Sequence, residues 1–74
     1  MKRRVQFFTI MQGENIIDTF ELFKSNTNHG TINNSRSCLF DGYYPEAYSE
    51  WERIKNDMKM VEMIGMKVQE GEQA

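Results

Sequence analysis

The chain has 74 residues, a formal net charge of −2 and one cysteine, Cys38. A chain this short makes one domain with a marginal core, because it buries only about 60–65% of the surface its unfolded form exposes. Small scaffolds of this size use a disulfide, a metal or a second subunit as a staple. One cysteine excludes an internal disulfide and suits a reducing compartment, while His29 and Cys38 alone cannot supply the Cys/His set of a structural zinc site.

In chain order, the first third reads as a β-hairpin, with strands over about 4–11 and 16–23. In "RRVQFFTIMQ" the alternation sets Val5, Phe7, Thr9 and Met11 on one face and Gln6, Phe8 and Ile10 on the other, and β-branched and aromatic residues dominate. Gly13 and Asn15 tolerate the positive φ of a turn. The return strand "IIDTFELF" places Asp18 and Glu21 on opposite faces, so neither face is cleanly polar. Residues 16–24 also match helical spacing, which leaves a helix there as the alternative.

Residues 25–37, "SNTNHGTINNSRS", are short polar side chains that compete for backbone hydrogen bonds, and they read as a long loop. "SCLF" at 37–40 offers a third short strand, followed by a turn at Asp41-Gly42. A helix over about 45–64 is the clearest element. Pro45 and Glu46 suit its first turn. Glu50/Arg53, Glu52/Lys55, Arg53/Asp57 and Lys59/Glu62 stand three or four apart, and Gly65 is a natural stop. Residues 67–74 read as a polar, frayed tail, although Met66 and Val68 also fit a short strand. The fold class is therefore a small α+β single domain over 1–74: a hairpin, with a possible third strand, packed by one C-terminal helix.

On the helical wheel Ala47, Trp51, Ile54, Met58 and Val61 form one stripe, which predicts the face that meets the sheet. "MKMVEMIGM" divides around that stripe. Met58 belongs to it, while Met60, Met63 and Ile64 point away, and Met66 depends on where the helix stops. A helix end that is apolar almost all round needs a cover. That cover is the chain's own tail or loop, or a partner drawn to flexible, polarisable methionines. A thioether site for a soft ion such as Cu(I) is the remaining option.

Other chemistry finds little support in the residues. His29, Ser25 or Ser35, and Asp41 supply the types of a hydrolytic triad without a nucleophile elbow or oxyanion hole. Cys38, beside Leu39 and Phe40, reads as a small buried hydrophobe. Tyr43, Tyr44 and Tyr48 suit either a core edge or an interface. No phosphate-binding or calcium loop is present, and Asn33-Asn34-Ser35 fits a glycosylation sequon that matters only on export. Lys2, Arg3 and Arg4 precede Phe7 and Phe8 and raise nucleic-acid contact. Against this, residues 45–74 carry four Lys/Arg and seven Asp/Glu, which is no basic footprint.

No segment reaches the roughly 18–20 apolar residues of a membrane span, and the basic start lacks a cleavage site, so the expected location is cytoplasmic. The residues point to a non-enzymatic protein-binding module with no cofactor and no catalytic or metal-ligating residues. It has the character of small phage or mobile-element inhibitors or adaptors, viral proteins that act by steric occupation of a partner surface. The partner-binding residues are Met60, Met63, Ile64 and Met66. The alternatives are a small nucleic-acid-binding or transcription-regulating domain using Lys2, Arg3 and Arg4, and a structural homo-oligomer subunit.

Overall fold

The structure, a computed structural model, describes residues 1–72. It contains β1 (Lys2–Gln12), β2 (Asn15–Ser25), β3 (His29–Asn33), β4 (Cys38–Tyr43), α1 (Tyr44–Met63) and β5 (Lys67–Glu72). The strands form one antiparallel sheet in the order β4-β3-β2-β1-β5. The helix leaves the β4 edge, crosses one face and delivers the chain to the β5 edge. This is a small α+β domain in which strands outweigh helix.

Sequence alternation accounts for which residues meet the helix. Phe8, Leu22 and Ile32 come from three neighbouring strands and share the helix-facing side. They pack with Ala47 and Trp51 as the buried core, supported by Val5, Phe20, Phe40, Tyr44, Ile54, Met58 and Val68. Trp51 is the largest fully buried side chain. Its ring lies 4.9 Å from Phe8, which in turn stacks 5.0 Å from Phe20. The indole N–H is not stranded by this burial, because it donates to Gln6 Oε1 at 2.5 Å. Of the predicted stripe Ala47, Trp51, Ile54, Met58 and Val61, the first four pack in or against the core, and Val61 is only partly covered. Burial is complete only in the first two turns of the stripe, where Ala47 and Trp51 lie.

Several expectations need correction. The turn expected at Asp41-Gly42 lies inside β4, which pairs with β3 through both residues and runs on to Tyr43. The polar segment 25–37 is not one loop, because it contains β3, paired to β2 from Glu21↔Asn33 to Lys24↔Gly30 and to β4 from His29↔Tyr43 to Asn33↔Cys38. The strand escapes a hydrophobic reading because its burial comes from α1 lying on Gly30 and Ile32 rather than from an apolar run. The expected frayed tail is instead β5, paired to β1 from Met11↔Lys67 to Gln6↔Glu72. Residues 73–74, the rest of that tail, lie outside the described residues. The helical alternative for 16–24 fails, since all of it is β2.

Asp18 and Glu21, which blur the faces of β2 in the sequence, each have a specific partner. Glu21 pairs with Arg4 at 3.0 Å across the hairpin, and the Arg4 guanidinium also lies 4.1 Å from the Phe7 ring centroid. Asp18 Oδ1 accepts from Ser35 Oγ at 2.7 Å, from Ser35 N at 3.2 Å and from Thr19 N at 2.8 Å. It thereby anchors the β3–β4 turn, which Asn34 organises by accepting from Arg36 N and Ser37 N through Oδ1. Burial pushes the Asp18 carboxyl up. The Ser35 hydroxyl, the Ser35 and Thr19 amides and the nearby Arg36 charge together outweigh that and hold it below its ordinary value.

Candidate functional site

The helix C-terminus decides how the methionines are displayed. After Met63 the chain turns through Ile64 and enters the left-handed region at Gly65, φ +97°. Gly65 N–H donates to the Glu62 carbonyl at 3.1 Å and Met66 N–H to the Val61 carbonyl at 3.3 Å. This pair of bonds is the Schellman arrangement, which satisfies carbonyls left open at the end of a helix. The helix therefore stops where Gly65 predicts, and Met66 belongs to the connection into β5.

That stop leaves Met60, Met63 and Ile64 outside the core, 69%, 84% and 74% exposed respectively. Neither segment expected to fold over them does so. The described part of the tail pairs edge-on with β1 as β5, and the polar segment 25–37 supplies β3, between β2 and β4 toward the opposite edge of the sheet. Met66 is half-buried, unlike the other three. Met58 and Val61, on the sheet side of the same turns, are partly covered.

The same end of the molecule carries a further apolar pair that the sequence did not mark. Ile16 opposes Met11, and Met11 opposes Lys67 at the start of β5. A register shift between Ile10 and Met11 makes Ile17 an extra residue in β2, and both isoleucines are exposed. From Asn15 to Phe20 the outer edge of β2 has no strand partner, since β3 begins pairing only at Glu21. The distal end thus combines an apolar helix terminus, two exposed isoleucines and an open strand edge. Lys59, Glu62, Glu14 and Lys67, near these residues in the sequence, carry charges of both signs.

The remaining sequence candidates separate in space. His29 Nε2 and Asp41 Oδ1 are in hydrogen-bond contact between β3 and β4. Ser25 Oγ accepts from the His29 backbone N at 3.1 Å, not from its ring, and Ser35 serves Asp18. The three residue types of a triad are therefore present without its relay. Cys38 is exposed on the β4 edge, its thiol donating to the Phe40 carbonyl at 3.2 Å, which corrects the buried reading. Tyr44 is packed against the core, whereas Tyr43 and Tyr48 face outward. Among the described residues no group of three or more His, Cys, Asp or Glu gathers as a metal site. No described helix is long and apolar enough to cross a membrane.

The basic start of β1 is not a stacking platform. Phe8 is buried beneath Trp51, and Phe7 lies under the Arg4 guanidinium on one side and against Gly71 on the other. Lys2, Arg3 and Arg4 pair across the hairpin with Ser25, Lys24 and Phe23. No family model, no curated protein and no solved structure matches the chain.

Proposed function

We propose that the chain is a non-enzymatic protein-binding module that acts by steric occupation of a partner surface, in the manner of a small phage- or mobile-element-type inhibitor or adaptor. The observation that carries this reading is the display of Met60, Met63 and Ile64 on a capped helix end that no described segment covers. Contiguous apolar exposure of this kind on a small domain marks an interaction surface more often than an accident of packing. Methionine supplies the adaptable, polarisable contact that such surfaces use. A five-stranded sheet beneath the helix holds the display in place, so little conformational entropy is lost on binding.

The test is the double substitution Met60→Glu with Met63→Glu. The reading expects an unchanged circular dichroism spectrum and loss of the proteins that the wild-type chain captures from extracts of its native host. Loss of the native spectrum would make both methionines structural. Light scattering over a concentration series addresses self-association: a mass that rises to that of a dimer, and falls back in the double variant, assigns the same surface to a homo-oligomer.

A further inference from the structure

The end of the molecule opposite the methionines carries a charge arrangement that the sequence does not reveal. Arg3 and Lys24 are direct cross-strand partners. Like charges in that position destabilise a sheet, and among the described residues neither has a carboxylate within ion-pairing distance. Lys2 flanks them in the next pair, opposite Ser25, and Arg4 follows, held by Glu21. The Lys24 ammonium lies 5.5 Å from the Tyr44 ring centroid on the helix side of the sheet, while Arg4 lies over Phe7 on the other side. Strand alternation places Arg3 with Lys24 and Lys2 with Arg4. Cations therefore emerge from both faces at one end of the β1–β2 ribbon.

We infer that this end is a second interaction surface, for the phosphate backbone of duplex nucleic acid. An anion between Arg3 and Lys24 would relieve the repulsion built into that pair. Flat anionic surfaces and single acidic peptides engage one face, whereas the two walls of a duplex groove present phosphate to both. On β1 itself Phe8 is buried and Phe7 lies against the Arg4 guanidinium, so the contact made by Lys2, Arg3 and Lys24 is to phosphate, which carries no base readout. The chain's acidic balance does not cancel the patch, because the excess carboxylates are spread along a molecule 38 Å long and the screening length at physiological salt is about 8 Å. Met11 lies nine residue steps along β1 from Lys2, roughly 30 Å at the usual rise. A duplex and a protein bound at the distal end can therefore be held at the same time.

Fluorescence anisotropy with a labelled 20-base-pair duplex across a salt series tests this on the full chain. Three cations free of a carboxylate predict a log–log slope of about −2.7, so that affinity falls about 40-fold between 50 and 200 mM salt. Arg3→Gln with Lys24→Gln should reduce the slope to about −1 with an unchanged circular dichroism spectrum, while Arg53→Gln with Lys55→Gln on the helix leaves it as it was. No binding at 25 mM salt overturns the inference. So does a slope that the Arg3/Lys24 variant does not change, or equal affinity for single-stranded DNA, polyglutamate or phosphatidylserine vesicles.

Discussion

Gly30 and Ala47 bring the sheet and the helix into close approach. A Cβ added to Gly30 would stand 2.6 Å from the Ala47 Cβ and 2.8 Å from the Tyr44 Cα. Both residues are buried, and their small size lets α1 lie directly on β3. Gly30→Ala therefore forces the helix start away from the sheet and is expected to cost about 1–3 kcal/mol in urea unfolding. Adding Ala47→Gly should restore only part of this, because the Tyr44 backbone remains in the way. Full stability in Gly30→Ala would refute the close approach.

Trp51 and Gln6 hold the other side of the core. Truncating a buried tryptophan typically costs about 3–5 kcal/mol, enough to unfold a domain of this size. A milder probe is Trp51→Phe combined with Gln6→Leu in a double-mutant cycle. The indole hydrogen bond predicts a coupling of about 1 kcal/mol, and a coupling near zero would show that the two side chains do not act together.

Thr31 is 5% exposed and its Oγ1 has no hydrogen-bond partner among the described residues. A buried hydroxyl without a partner is destabilising. Thr31→Val keeps the shape and removes the polar atom, so it should raise the stability by about 1 kcal/mol, seen as a higher urea midpoint with the same slope. A lower midpoint would mean that the hydroxyl has a role in the native state.

Asp18 gives the fold a defined acid sensitivity. Its folded carboxyl is held below the ordinary value of 3.8. The unfolded chain therefore takes up a proton first as pH falls. The stabilisation is complete above the unfolded value and disappears as pH drops through the lower, folded one. Asp18→Asn should flatten the fall in urea midpoint below about pH 4 and loosen the 34–37 turn in hydrogen exchange. An identical pH profile in wild type and variant would contradict this account.

The elements that were legible in the sequence carry their own apolar pattern. The hairpin alternates, and α1 repeats Ala47, Trp51, Ile54 and Met58 at helical spacing; both lie where the residues placed them. β3 and β5 were harder because each is organised by its neighbours. In "HGTIN" the informative residue is Gly30, whose missing side chain admits the helix, and in "KVQEGE" the residue that joins the core packing is Val68, set among polar neighbours. The site was legible in part. The wheel separated Met60, Met63 and Ile64 from the core stripe, and Gly65 marked the stop. Ile16, Ile17 and the Arg3–Lys24 pair depended on strand register, which no local pattern discloses.

On the proposed function, the helix terminus around Met63 is the surface that a partner protein covers. A photo-crosslinking residue placed at Met63, compared in the native host with the same residue at Ser49 about four turns earlier in α1, tests it most directly. The account predicts a discrete adduct with a second protein from position 63, absent from position 49 and lost when Met60→Glu is added. No adduct from position 63, or the same adducts from both positions, would contradict it.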